Sequence, residues 1–260
     1  MTLPANLTPF ISRSRQSALV TDFDGTLAPI VDDPSDAAAL PESVASLGAL
    51  AGHLGLVAIV SGRPVEFLRS RIPIDDVVLI GQYGLERLVH GRVEIDARAE
   101  LYVETIARAT ERASELWPAL PIEPKGEIAF TVHWRTTPDD EPHPADLAAL
   151  AKDFGLAMQP GRKACELRPR VPVDKGTAFY DLAHRFENRA FVGDDSGDLA
   201  AFAQEFDDPD RTTHAVRIAV RSTEAPSELL DRADVVVDGP AGLAALLGEL
   251  AGALRSSPPP

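Results

Sequence analysis

The sequence predicts an α/β protein: a doubly wound, Rossmann-like parallel-sheet core with a second α/β domain inserted into it. Three observations point there. Short, continuously apolar runs alternate with amphipathic stretches in the first and last thirds of the chain, the pattern of strands buried on both faces and the helices that cover them. The middle third carries hairpin-like alternation and a long amphipathic stretch, the mark of a small α+β unit. Three of the apolar runs end in polar, chemistry-bearing side chains, as strands converging on one crevice of an open sheet do.

The elements follow in order. The run Leu19-Val20-Thr21-Asp22-Phe23-Asp24 reads as a buried strand that ends in two carboxylates, with Gly25 stopping the ladder. On an extended strand Asp22 and Asp24 share a face, their backbones roughly 6–7 Å apart. A polar, proline-broken loop spans residues 32–36. Pro41 opens a helix with Val44, Leu47 and Leu50 at helical spacing, and Gly55 closes it. Leu56-Val57-Ala58-Ile59-Val60 is a buried strand ending at Ser61-Gly62-Arg63. Pro64 then suits the first turn of a helix carrying Val65, Phe67 and Leu68. Residues 77–80 form the next strand.

The pattern then changes. Residues 85–95 alternate around His90-Gly91 as a hairpin. Residues 97–117 read as one long helix with Leu101, Ile106, Ala109, Ala113 and Leu116 on its apolar stripe. Strands at 127–134 and 163–167 flank a helix at 144–154. Residues 83–170 are thus read as an insertion, leaving residues 1–82 and 171–260 as a discontinuous core. The core pattern resumes at Asp174-Lys175-Gly176 with a helix through Phe179, Leu182, Ala183 and Phe186. A strand at 190–192 follows, ending in Gly193-Asp194-Asp195, then strands at 216–220 and 235–237 and a closing helix at 241–254. The proline-rich tail, residues 256–260, is expected to be disordered.

Composition narrows the function. A net charge of −15 over 260 residues argues against nucleic acid or an anionic membrane surface as a partner. An anionic substrate then needs local cations. The single cysteine, Cys165, excludes an internal disulfide and suits a reducing compartment, so a cytoplasmic protein is expected. The first 16 residues lack the apolar core of a secretory signal, and no apolar run is long enough to span a bilayer.

Asp22, Ser61 and Asp194 each fall at or just past the end of an apolar run. Ser61 and Asp194 could each instead cap a following helix. Asp194, Asp195 and Asp198, together with Asp22 and Asp24, put up to five carboxylates near one crevice. Such repulsion calls for a hard cation, and an oxygen-only set without nearby His or Cys points to Mg²⁺ rather than zinc. Lys175 supplies a further point charge; a helix start is a poor place for a merely solvated lysine because of the helix dipole, and the misfit favours a functional reading.

These residues resemble the haloacid dehalogenase superfamily. Four motifs match: Asp22 to Thr26, Ser61 of Ser-Gly-Arg, Lys175 of Asp-Lys-Gly, and the acidic stretch from Asp194 to Asp198. The resemblance implies that Asp22 is the nucleophile, forming an aspartyl-phosphate. Asp24 is then the acid that protonates the leaving oxygen and the base that activates water. Ser61 and Lys175 hold phosphoryl oxygens. Mg²⁺ is held by Asp22, the Asp24 carbonyl and Asp194, with Asp198 in support. Gly25, Thr26, Gly62 and Arg63, within the same motifs, are implied on the substrate side.

Further stretches resemble the trehalose-6-phosphate phosphatase family: Gly81 to Glu86, Lys125 with Val132-His133-Trp134-Arg135, and Gly161 to Pro169. That likeness implies that the insertion is a cap. Lys163 and Glu166 would bind sugar hydroxyls, and Lys125 and Arg135 the sugar or its phosphate. The sequence departs from the family pattern with Tyr83 for histidine, Trp134 for tyrosine, and Ser196-Gly197-Asp198 for Thr-Asp-Glu. The expected protein is a monomeric Mg²⁺-dependent phosphatase of a small sugar phosphate, trehalose 6-phosphate. Sucrose phosphate, a glycosyl-glycerate phosphate, phosphomutase chemistry and non-catalytic sugar-phosphate binding are the alternatives.

Overall fold

The computed structural model describes residues 3–161, 163–204, 214–223 and 225–256. The tail residues 257–260 and Arg162 of the Gly161 to Pro169 stretch lie outside the described residues. Ser256, read with the tail, ends the last helix instead. The chain divides into two compact units, Met1–Arg92 with Val173–Pro260, and Val93–Pro172.

The first unit is built on β1 (Ser17–Thr21), β2 (Leu56–Val60), β3 (Val78–Gly81), β4 (Glu86–Val89), β10 (Asn188–Gly193), β11 (His214–Arg221) and β12 (Val235–Asp238). With β5 (Arg92–Ile95) they form an eight-stranded sheet in the order β12-β11-β10-β1-β2-β3-β4-β5. The pairings from β12 through β3 are parallel, and β4 joins β3 antiparallel. All five residues of β1 and all six of β10 are buried, and their central runs Ala18-Leu19-Val20 and Ala190-Phe191-Val192 are apolar, while Ser17, Thr21, Asn188 and Arg189 are buried polar residues at the strand ends.

Helices cover both faces because the strand side chains alternate between them. Leu19, Ile59, Val192 and Ile218 belong to a core shared with α2 (Pro41–Ala51) and α10 (Gly239–Ser256). Val20, Val60, Phe191 and Ala219 face α7 (Lys175–Ala183), α8 (Leu199–Phe202) and α9 (Ser227–Arg232). α1 (Thr8–Ser12) and α3 (Val65–Arg71) contribute Phe10 and Leu68 to the first core. From β1 the sheet grows through β2 in one direction and through β10 in the other. That reversal makes the edge between β1 and β10 the switch point where α/β sheets open a crevice.

The first strand stops earlier than expected. β1 ends at Thr21, so Asp22 and Asp24 lie beyond it; Asp22 keeps one ladder bond to the Val192 carbonyl (2.9 Å). The chain bends at Phe23 and Gly25 turns it at φ +74°, so the strand does not run on through Asp24.

The second unit holds an antiparallel sheet of β6 (Ile122–Lys125), β7 (Ala129–His133), β9 (Ala164–Arg168) and β8 (Ala157–Gly161), in that spatial order. β6 and β8 were not expected; each contains a proline, Pro124 and Pro160, which a sheet tolerates at its edges. One face carries Phe130, Val132, Cys165 and Leu167 against α5 (Val103–Leu116) and α6 (Pro144–Asp153). The single long helix is in fact two, α4 (Ala97–Glu100) and α5. The Tyr102 N–H bonds back to Ala99, three residues away, and the helix restarts in a new phase. Leu101 in the break is therefore 83% exposed and Leu116 is 41% exposed, leaving the buried stripe to Ile106, Ala109 and Ala113. Among the described residues no helix is long and apolar enough to cross a membrane.

Candidate active site

Three parallel strands each release their chain at a functional residue. Asp22 follows β1, Ser61 follows β2, and Asp194 follows β10. All three are buried. Neither Ser61 nor Asp194 caps a helix: Pro64 occupies the N-cap of α3, and Asp195 caps the short 3₁₀ turn Ser196–Asp198.

Lys175 is brought in by a helix start. Asp174 caps α7 by accepting from the Thr177 N–H (2.7 Å), and the Thr177 hydroxyl accepts from the Asp174 N–H (3.0 Å). This capping box fixes the first turn and leaves Lys175 only 4% exposed. Its Nζ lies 2.7 Å from Asp198 Oδ1, 3.0 Å from Asp22 Oδ2 and 3.7 Å from Asp195 Oδ1. The charge misplaced on the helix dipole is therefore held by carboxylates.

Asp22, Asp194 and Asp198 each offer a carboxylate oxygen, all within 4.8 Å of one another. Thr26 donates to Asp194 Oδ1 (2.8 Å), while Asp198 Oδ2 accepts from the backbone N–H of Asp194 (2.9 Å) and Asp195 (3.1 Å). Gly25 is needed for space as well as for its turn: a Cβ there would stand 2.0 Å from Asp194 Oδ2. When ionised, these three carboxylates and the Lys175 ammonium carry a formal charge of −2, matching one divalent cation. The oxygen-only donors suit a hard ion.

The electrostatics agree. Burial, partly offset by Lys175 and reinforced by the other aspartates, raises the Asp22 pKa well above the carboxylate range. Burial also lifts Asp194 to about 7, against the Thr26 hydrogen bond and with help from Asp198 and Asp195. Asp198 is raised by burial against the pull of Lys175. Burial works against the charged form of Lys175, but Asp198, Asp22 and Asp195 outweigh it and raise its pKa. Acids strained toward their protonated forms are what a bound cation would relieve.

Asp24 stands apart from this cluster. Its carboxylate accepts two hydrogen bonds from Arg63, Nε to Oδ2 and NH2 to Oδ1, both 2.8 Å. Gly62 lies under Tyr83: a Cβ at 62 would meet the Tyr83 Oη at 2.5 Å. Tyr83 and the preceding Gln82 both sit at positive φ, 60° and 49°. Glu86 was overlooked. It is buried and accepts from the Val65 N–H (2.8 Å), holding the start of α3; Pro64 at the N-cap, which offers no side-chain acceptor, was the available clue.

In the second unit, the face of the sheet opposite its core aligns Glu123, Thr131, Glu166 and Gln159 across four strands. Glu123 accepts from Lys125 Nζ (2.8 Å) and pairs with His133 Nε2 at 2.7 Å. Glu166 Oε1 is buried without a hydrogen-bond partner, and burial raises its pKa against the pull of Arg168 and Lys125. Lys163 is exposed at φ 52° in the turn before β9, and Arg135 is exposed after β7. Glu123 and His133 were not singled out. Glu123 stands two residues before Lys125, which puts both on one strand face.

The doubly wound fold that carries these acids and the buried lysine is shared with a haloacid dehalogenase-like hydrolase from Bacteroides thetaiotaomicron, with a TM-score of 0.61 at 13% identity over 89% of this chain and 98% of that one. The model of the trehalose-phosphatase family matches residues 20–234, and the chain belongs to that family. It is 29% identical over 258 residues to a trehalose-phosphate phosphatase of Mycobacterium tuberculosis, covering 94% of this chain and 64% of that protein. It is 32% identical over 204 residues to an uncharacterized glycosyl hydrolase, Rv2006, of the same organism, covering 72% of this chain and 15% of that one. The chain thus spans less than two thirds of these curated relatives. The C-terminal domain of the Candida albicans trehalose-6-phosphate phosphatase has the same fold, with a TM-score of 0.71 at 22% identity over 96% of this chain and 98% of that one.

Proposed function

We propose that this protein is a Mg²⁺-dependent phosphatase that hydrolyses trehalose 6-phosphate to trehalose and phosphate. The observation that carries the reading is the family match over residues 20–234; the ion pairs of Lys175 with Asp22 and Asp198 support it. Asp22 attacks phosphorus through a carboxylate oxygen. The bond from phosphorus to the sugar oxygen breaks, and that oxygen takes a proton from Asp24. The Asp24 carboxylate then takes a proton from water as the water oxygen attacks the aspartyl-phosphate. Phosphate leaves, and both acids return to their starting states.

Ser61 and Lys175 hold phosphoryl oxygens through this cycle. Asp22, the Asp24 carbonyl and Asp194, with Asp198 behind them, would hold Mg²⁺, which would supply positive charge opposite the phosphoryl group. Sugar selection is assigned to the insertion, residues 83–170, through Lys125, Arg135, Lys163 and Glu166. The buried, unpaired Glu166 Oε1 supports this, since a sugar hydroxyl would satisfy it. We read the protein as a cytoplasmic monomer, the compartment resting on its single cysteine.

The test is phosphate release over a panel of trehalose 6-phosphate, sucrose phosphate, glycosyl-glycerate phosphate and glucose phosphates, with Mg²⁺ and with a chelator. The expected result is release from trehalose 6-phosphate above all others, lost on chelation. Equal rates across the panel refute the assigned specificity, and isomer conversion without release refutes hydrolysis.

A further inference from the structure

We propose that Arg63 is a positioning residue for Asp24 rather than a ligand of the substrate; this rests on the proton-transfer role given to Asp24 above. Arg63 does not meet Asp24 as a loose surface charge. Its Nε and NH2 each donate to a different oxygen of the same carboxylate at 2.8 Å, the fork geometry that fixes both the distance and the plane of a carboxyl group. Each Asp24 oxygen uses one lone pair on this fork and keeps another on its far side. The carboxyl group is therefore held against rotation with one edge left for proton transfer.

Arg63 is itself held from three directions. Its guanidinium carbon lies 4.5 Å from the centre of the Phe67 ring, one turn along α3. Its own N–H donates to Ser61 Oγ (3.2 Å), and its carbonyl accepts from the Gln82 N–H (3.1 Å). Phe67 packs edge-on to Phe23, ring centres 5.8 Å apart and planes at 90°. Phe23 is the residue before Asp24. The contacts thus close a circuit, from Phe23 to Phe67 to Arg63 to Asp24 and back along one peptide bond. The side chain of Arg63 is 12% exposed and that of Asp24 is 33% exposed, so the firmer partner is the arginine. A guanidinium buried, stacked and committed to a neighbouring carboxylate by both arms of its fork is poorly placed to bind a phosphoryl group as well.

The test uses the Mg²⁺-loaded full chain and two substrates: trehalose 6-phosphate, whose alkoxide needs a proton to leave, and 4-nitrophenyl phosphate, whose phenolate does not. Arg63→Ala is expected to lower kcat on the sugar ester about 10- to 100-fold, within the range of a general acid–base group, with KM held within about twofold. The bias is read in kcat/KM, which reports the steps up to phosphoryl transfer and not the later attack of water that both substrates share: on that measure the loss on the sugar ester should exceed the loss on 4-nitrophenyl phosphate at least about tenfold. Added to Asp24→Asn, Arg63→Ala should cost almost nothing more, because both act through one carboxyl group. Arg63→Lys, a point charge without the fork, should share most of the loss. Phe67→Leu, which loosens the stack and keeps the charge, should show a few-fold loss with the same substrate bias, and it carries the test should Arg63→Ala fold poorly by circular dichroism. A raised KM at unchanged kcat, equal losses on both substrates, or losses that multiply with Asp24→Asn would overturn the proposal and return Arg63 to substrate binding. A wild-type rate in Asp24→Asn alone would overturn the role of Asp24 first, and a separate arm therefore reports it.

Discussion

Lys175→Met removes one positive charge from a site where, among the described residues, no other buried cation contacts the acidic cluster. The substitution keeps the apolar stem, so the effect isolates the ammonium. Lys175 is 4% exposed and its contacts at 2.7 and 3.0 Å are to Asp198 and Asp22, themselves 0% and 3% exposed. Removing one partner of such a buried pair costs about 3–5 kcal/mol, because the remaining charge keeps its burial penalty and loses its compensation. The ceiling comes from protonation. Asp22, Asp194 and Asp198 already have raised pKa values, so an orphaned carboxyl group takes up a proton before the cost climbs further.

That gives the effect a pH signature. Set against its own unfolded state, the variant's folded carboxyl cluster holds more extra protons at neutral pH than the wild type's does. Its stability therefore falls more steeply as pH rises, by up to about 1.4 kcal/mol per pH unit for each extra proton. Urea unfolding of metal-free protein at pH 5.5 and pH 8, followed by circular dichroism, reads this directly. The gap between wild type and variant should be largest at pH 8 and shrink at pH 5.5. A loss below about 1 kcal/mol, or a gap that does not change with pH, would refute the claim that Lys175 carries the charge balance of the cluster.

Gly25→Ala places a Cβ 2.0 Å from Asp194 Oδ2 at a backbone φ of +74°, and backbone and carboxylate cannot both stay in place. A displacement on the order of 1 Å costs about 10²-fold in rate, so kcat/KM for phosphate release should fall at least that far, and a variant within tenfold of wild type would show that Asp194 tolerates the shift. In the second unit, Glu123 is destabilised as a charge by burial, yet hydrogen bonds from His133 and Lys125 outweigh this and hold its pKa at about 2, below its ordinary 4.5. A depressed carboxyl pKa adds stability that is present above pH 4.5 and lost as pH falls toward 2. Glu123→Gln should therefore lower the thermal unfolding midpoint near pH 6 and match wild type near pH 2; a difference that is constant over this range would discount the pairing.

The core was legible because its physics is local. The central runs Ala18-Leu19-Val20, Val57-Ala58-Ile59-Val60 and Ala190-Phe191-Val192 are apolar because they are buried on both faces of the sheet, and Asp22, Ser61 and Asp194 follow them within two residues. The misfit of a lysine at a helix start marks Lys175 in the sequence as more than a solvated charge, and its carboxylate partners, Asp198 and Asp22, emerge only in the structure. What remained hidden depended on contacts distant in sequence. No local pattern says that Arg63 reaches back 39 residues to fork onto Asp24, or that Gly25 makes room for an oxygen 169 residues later. The two missed strands were illegible for another reason. Pro124 and Pro160 argue against strands in general, and only the knowledge that β6 and β8 are edges removes the objection. The break at Leu101 carries no Gly or Pro, and the apolar spacing runs through it as if one helix continued; the phase change comes from the backbone bond of Tyr102 to Ala99, which composition does not encode.

These failures share a direction. Each of these expectations treated a stretch as a self-contained unit: two aspartates on one strand, one continuous helix. The structure distributes those units among neighbours. Asp22 goes to Lys175, Asp24 to Arg63, and Asp198 divides its oxygens between Lys175 and the backbone of Asp194 and Asp195. The two carboxylates of the first motif are thereby separated electrically, one set against an ammonium and the acidic cluster, the other against a guanidinium. The nucleophile and proton carrier proposed for Asp22 and Asp24 need that separation, because like charges sharing one environment would shift each other's protonation and blur the two roles.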